Sequence, residues 1–152
     1  MKLSQHFDLA ELTASNKATQ MGIDNTPPPE LIPRLVLLAD MLERIRSTLG
    51  VPMTITSGYR CSQLNSAIGS RNTSDHPQGH AADFVAPAFG TPTEIARLLA
   101  PLVKVLGIGQ IILEGVAGKQ WVHVSTREPE NAINRVITIT DAGTVSGIVG
   151  LA

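Results

Sequence analysis

The clearest pattern in the chain is a leucine stripe. Leu31, Leu35, Leu38, Leu42, Ile45 and Leu49 recur at alternating spacings of four and three, which places them on one helical face, and Gly50 closes the stripe. Thr26-Pro27-Pro28-Pro29 stands before it as a helix entrance, because proline suits a first turn whose backbone donors have no intrahelical acceptor. A second helical run carries Ile95, Leu98, Leu99, Leu102, Val103 and Leu106 behind Thr91-Pro92-Thr93-Glu94, a capping box with proline at the first helical position. Pro101 inside that run predicts a kink. Shorter helices are expected from Leu9 to Leu12, ending in the polar stretch before Gly22, and from Cys61 to Ile68 before Gly69.

Elsewhere the period changes to two. Met53-Thr54-Ile55-Thr56-Ser57 alternates and is rich in β-branched residues, and Gly58 ends it. Ala81 to Val85 reads as a second strand after a polar loop from Ser70 to Gly79. Ile108 to Leu113 and Trp121 to Ser125 read as a hairpin joined through Gly115 to Lys119, and Arg135 to Thr140 as a further strand followed by the turn Asp141-Ala142-Gly143. Helices first and strands later, with hairpins among them, predict an α+β fold rather than a doubly wound parallel sheet. The length of 152 residues suits one domain with its own core. Within it, residues 1–50 form a mainly helical part, 51–126 the core that carries the chemistry, and 127–152 a C-terminal strand region.

Composition narrows the chemistry. The chain is 43% hydrophobic but only 3% aromatic, so its core is built from Leu, Ile, Val and Ala. Twelve basic and thirteen acidic residues leave a net charge of −1, which supplies no footprint for nucleic acid or an anionic membrane. No apolar run reaches membrane-spanning length, and Met1 to Asp8 lacks the apolar stretch of a secretory signal, so the expectation is a chain that is cytoplasmic as synthesised, without membrane insertion. The lone Cys61 permits no internal disulfide and no cysteine-rich metal knuckle, so any metal must be held by histidine and carboxylate.

Those residues cluster. Ser74-Asp75-His76-Pro77-Gln78-Gly79-His80-Ala81-Ala82-Asp83 and Trp121-Val122-His123-Val124-Ser125 bring together three of the four histidines in small, polar or turn-like surroundings. Zinc catalysis needs about three ligands from His and Asp or Glu with one position left open, and His76, Asp83 and His123 supply that set. Gly79 allows a tight turn between His76 and Asp83, and Trp121, His123 and Ser125 share one strand face. Pro77 and Gly79 argue against a helical pairing of His76 with His80, so His80 is expected at a rim, and Asp75 is expected as a solvated loop acid.

Ser57-Gly58-Tyr59-Arg60, Ser74 to Asp83 and Trp121 to Ser125 reproduce, in order, the motifs Ser-Gly-Tyr-Arg, Ser-x-His-x-x-Gly-x-Ala-x-Asp and Trp-x-His-x-Ser. The sequence thereby resembles the zinc D-Ala-D-Ala carboxypeptidase and phage endolysin peptidase family. Phe7, Leu9, Glu11-Leu12 and Asp24-Asn25-Thr26-Pro27 extend the likeness to the single-domain phage branch. The resemblance implies N-terminal helices packed on a small, mainly antiparallel sheet, in the manner of hedgehog and D-Ala-D-Ala metallopeptidases. It also implies Zn2+ on His76, Asp83 and His123, Arg60 holding a substrate carboxylate or a developing oxyanion, and substrate contacts from Ser74, Tyr59 and Trp121. The function implied is hydrolysis of a peptide bond in the stem or cross-link peptides of bacterial peptidoglycan by a monomeric phage or prophage endolysin. Such an enzyme depends on a holin-like protein or virion delivery for access to the wall.

One position departs from the pattern. Many relatives carry an acidic residue three positions before the last zinc histidine to take a proton from water, and here that position is Gln120, which cannot accept it. Glu114 is the nearest carboxylate, and its reach depends on hairpin register: opposite Trp121 it shares the face of His123, opposite Gln120 it points away. A chain lacking a base would instead be a non-catalytic zinc-containing wall-binding or virion structural module.

Overall fold

The computed structural model describes residues 1–70, 74–126 and 134–150. The leucine stripe forms α3 (Ile32–Leu49), entered through a single 3-10 turn at Pro29–Leu31 and ended by Gly50 in the left-handed region at φ +71°. Leu35, Leu38, Leu42 and Ile45 on its inner face are fully buried. The segment expected as one short helix before Gly22 is two, α1 (Leu9–Thr13) and α2 (Asn16–Met21). The break follows from Ser15, whose side chain accepts from the Ala18 amide and so starts a new helix.

The strands are β1 (Thr54–Ser57), β2 (Ala81–Val85), β3 (Gln110–Val116), β4 (Lys119–Ser125), β5 (Arg135–Thr140) and β6 (Gly143–Ser146). They form one sheet in the order β1-β2-β4-β3-β5-β6. All its pairings among the described residues are antiparallel except β3 with β5, so the α+β fold and the mainly antiparallel sheet expected from the sequence are present, with one parallel pair. The β3–β4 hairpin is tighter than expected: the strands continue to Val116 and Lys119, and Ala117 and Gly118 turn the chain with φ of +51° and +80°.

Between β1 and β2 lies α4 (Ser62–Ala67). Between β2 and β3, the run around Pro101 breaks rather than kinks, giving α5 (Pro92–Leu99), a 3-10 turn at Ala100–Leu102 and α6 (Val103–Leu106). Proline removes a backbone donor and crowds the preceding turn, and here that ends the α-helix. Parts of the expected polar loop and C-terminal region, at 71–73, 127–133 and 151–152, lie outside the described residues.

The sheet has two different faces. Ala82, Phe84, Ile111, Leu113, Val122 and Val124 project toward α3 and α5 and join their leucines in the main hydrophobic core. By period-two alternation Asp83, Ile112, Glu114, Trp121, His123 and Ser125 project to the other side. No helix among the described residues is long and apolar enough to cross a membrane.

Candidate functional site

Register brings the polar face together. Asp83 on β2 lies opposite His123 on β4, and Glu114 on β3 lies opposite Trp121, two positions along from His123. Directly opposed residues project to one side, so Glu114 shares the face of His123. Gln120 lies opposite Gly115 and projects the other way, where its Oε1 accepts from the Thr93 hydroxyl at 3.2 Å.

His76 comes to the same place from a loop. It begins a 3-10 turn, His76–Gln78, that Gly79 ends at φ +75°, and the His80 amide closes back on the Asp75 carbonyl at 3.2 Å. Side chains with a Cβ rarely adopt that φ, so glycine lets the chain fold from the turn straight into β2. The turn is also tied to the sheet, since the Ser125 hydroxyl on β4 donates to Asp75 Oδ2 at 2.9 Å. Asp75 is therefore part of a structural tie and not the solvated acid expected.

The ligand atoms of His76, Asp83 and His123 all lie within 4.8 Å of one another. His123 Nδ1 is 2.8 Å from Asp83 Oδ1, and His76 Nε2 is 3.4 Å from the same oxygen. Behind His76, Nδ1 lies 2.7 Å from the Gly58 carbonyl oxygen. A carbonyl only accepts, so Nδ1 carries the proton and Nε2 presents its lone pair to the cluster, the outer support that metal-bound histidines require. All three side chains are buried. Two imidazole nitrogens and one carboxylate oxygen converging on a buried point fit a divalent zinc ion, with room for a further ligand from the cleft side.

The electrostatics agree with a cation site. Burial opposes ionisation of Asp83, yet its interactions with the His76 and His123 imidazoles outweigh it and hold the carboxyl well below its ordinary value. Burial drives the His76 imidazole below its ordinary value, toward the neutral form that binds metal. Burial pulls His123 down too, but its hydrogen bond and charge interaction with Asp83 leave it raised, so a metal must displace that proton.

A cleft of about 530 Å³ opens over the cluster, walled by Arg60, Ser74, Glu114 and Trp121, with Ile68 and Val116 half-exposed at its rim. Glu114 Oε1 is 3.7 Å from His123 Nδ1. Burial, helped by the Asp83 charge, raises the Glu114 carboxyl above its ordinary value, while His123 and Arg60 pull it back. Arg60 reaches the cleft from the segment after β1. Its Nε is buried without a hydrogen-bond partner, one terminal nitrogen stands 3.5 Å from the Ser74 hydroxyl, and its ion pairing with the described carboxylates is long-range only. Burial lowers its pKa and the Asp83 and Glu114 charges raise it; a guanidinium stays charged in either case.

Of the residues expected at substrate, Ser74 and Trp121 line the cleft and Tyr59 does not. Tyr59 is 6% exposed and sits in the main core, while its neighbour Arg60 lines the cleft. His80 is half-buried, with Nδ1 3.2 Å from the Thr126 hydroxyl. Sequence reasoning missed the Gly58 carbonyl, which leaves no mark in residue identity, and the Asp75–Ser125 tie, which joins two motifs far apart in the chain.

A family model described as Peptidase M15 matches residues 5–125, the span that holds the cluster, Arg60 and Glu114. Peptidases of this family are zinc-dependent, and the buried His76–Asp83–His123 cluster can hold the ion. No curated protein matches the chain.

Proposed function

The chain belongs to the Peptidase M15 family, and from that premise we propose that it is a zinc-dependent hydrolase of a peptide bond in peptidoglycan stem or cross-link peptides, with His76, Asp83 and His123 as the metal ligands. One observation carries the reading: a carboxylate, Glu114, and a half-buried cation, Arg60, stand over a three-ligand cluster on a single face of the sheet. Bound zinc supplies a Lewis acid that polarises the scissile carbonyl and acidifies water.

The protein's own groups complete the reaction. Glu114 accepts the proton of the attacking water and returns it to the leaving amine, a role suited to a carboxylate that lines the cleft beside the cluster, 3.7 Å from His123. Arg60 binds a substrate carboxylate with its planar fork, which explains a half-buried guanidinium whose buried Nε has no partner. Trp121, Ile68 and Val116 give the peptide apolar walls. Ser74 accepts from the His76 amide at 3.3 Å and holds the base of the metal turn.

The setting that fits this chemistry is a phage or prophage lysis enzyme that reaches the wall through a holin-like partner or virion delivery. Digestion of purified walls, with muropeptides read by mass spectrometry, tests the reading: zinc-loaded protein releases new amino termini and chelated protein does not. Intact walls in the presence of stoichiometric bound zinc would instead establish a non-catalytic wall-binding module.

A further inference from the structure

Arg60 has little to hold its side chain directly. Its Nε has no partner, and its contact with Ser74, at 3.5 Å, is at the outer limit of a hydrogen bond. The aim of the guanidinium is therefore inherited from the main chain on which it stands, and that main chain is gripped on both sides by one residue. Asn25, 9% exposed, donates through Nδ2 to the Tyr59 carbonyl at 3.0 Å and accepts through Oδ1 from the Cys61 amide at 2.8 Å. Its second Nδ2 hydrogen goes to the Thr13 carbonyl at 2.9 Å, at the end of α1.

Both functions of this carboxamide are thus spent on backbone, and the residue enclosed between Tyr59 and Cys61 is Arg60. On the far side the Tyr59 amide donates to the Leu12 carbonyl at 2.7 Å, so the same N-terminal layer fixes the segment from a second direction. The metal turn is reached by a different route, through the Gly58 carbonyl to His76. Asn25 makes no hydrogen bond to a ligand residue among the described contacts.

We propose that Asn25 is a positioning residue for Arg60: it clamps the backbone on either side of the arginine and thereby aims the guanidinium at the substrate carboxylate. The inference rests on the reading of Arg60 as the carboxylate-binding group. An amide is suited to the task and an acid is not, because two of the three groups it meets are carbonyls, which only accept. Removing it leaves the Tyr59 and Thr13 carbonyls and the Cys61 amide short of a partner, so the freed segment swings and Arg60 with it.

The test uses the zinc-loaded protein with Asn25→Ala and the milder Asn25→Ser, each made in the wild-type and Arg60→Ala backgrounds. On muropeptides that the wild type cleaves, Asn25→Ala is expected to raise KM and lower kcat/KM by about tenfold to a hundredfold, the scale of a 1 Å misplacement. In the Arg60→Ala background the same change should cost less than about threefold, because the group it positions is gone. Zinc affinity should stay within about threefold of wild type, since the ligand route through Gly58 is untouched. An equal loss in both backgrounds overturns the proposal. The second measurement is the NMR order of the Arg60 Nε–H in Asn25→Ser, expected to fall; an unchanged order overturns the proposal whatever Arg60→Ala does to turnover. Wild-type turnover by Arg60→Ala would sink the carboxylate role of Arg60 and leave the NMR result to decide the clamp.

Discussion

Gly58→Ala joins the fold to the metal site through one atom. A Cβ built at Gly58 falls 2.3 Å from the Leu12 carbonyl oxygen, 2.9 Å from its carbon and 3.0 Å from its Cα. These are backbone atoms at the buried end of α1, so no side chain can turn aside to make room. The φ of Gly58 lies outside the left-handed region, so the cost is purely steric. Reaching an ordinary carbon–oxygen contact of about 3.3 Å takes roughly 1 Å of retreat. Two hydrogen bonds of 2.7 Å depend on this spot, Tyr59 N–H to Leu12 O and His76 Nδ1–H to Gly58 O, and such a retreat breaks one or misdirects the other. Overpacking of this kind costs about 1–3 kcal/mol, which at this chain length lowers Tm by roughly 2–4 °C per kcal/mol. Loss of the carbonyl behind a metal-binding histidine should weaken zinc by about tenfold to a hundredfold. Thermal unfolding of the zinc-free protein and competition with a chromogenic chelator read the two effects separately. A variant with lowered Tm but wild-type zinc affinity would show that the Gly58 carbonyl does not orient His76, and wild-type values of both would refute the clash itself.

Glu114→Gln should keep zinc and lose at least about a hundredfold in rate, the lower range for removing acid–base catalysis. The group must be ionised to act, so activity falls as pH drops through its pKa; the Arg60 charge favours the ionised form, and Arg60→Ala should therefore move the acid limb of kcat/KM to higher pH. Wild-type turnover by Glu114→Gln together with inactivity of His80→Ala would transfer the base to His80. His123→Ala should lose zinc and activity together while circular dichroism stays near wild type, because the leucine core lies on the other face of the sheet; stoichiometric zinc at wild-type affinity would remove His123 from the ligand set. Asp83→Asn should weaken zinc more than Asp75→Asn, since Asp83 lies within 3.4 Å of both histidines whereas Asp75 is tied to Ser125; equal losses measured by chelator competition would contradict that division.

The element that the sequence announced most plainly is the one whose burial repeats with a period. The stripe from Leu31 to Leu49 declared α3 because each of its leucines meets the same core, whereas β2, buried at four of its five residues, was marked by the polar loop that precedes it. The strand β6, Gly143–Ser146, escaped notice because all four of its residues are exposed, so it pairs with β5 but carries no alternation of burial. The division of α1 from α2 turned on one serine acting as a cap, a local hydrogen bond that apolar spacing does not record. Pro101 was visible, but whether a proline kinks or ends a helix depends on what the next turn packs against, and here Val103 and Leu106 bury themselves in a fresh turn.

The site divides along a similar line. His76, Asp83 and His123 were legible because metal chemistry restricts which side chains can serve, and Glu114 was legible up to a register that only the Ala117-Gly118 turn resolves. What surrounds them was not, since the supports of His76 and Arg60 include main-chain carbonyls and amides that every residue owns. A carbonyl becomes visible in a sequence only through its consequences. At Gly58 the consequence is the absence of a side chain, imposed by the approach of Leu12. At Asn25 it is a carboxamide, the side chain that can donate to one peptide group and accept from another in a single plane. Both residues lie outside the set that touches substrate or metal, yet each governs a group that does. A chain that keeps its three ligands and loses this layer would therefore be expected to hold zinc more weakly or to aim Arg60 less well, with every motif that names the chemistry still in place.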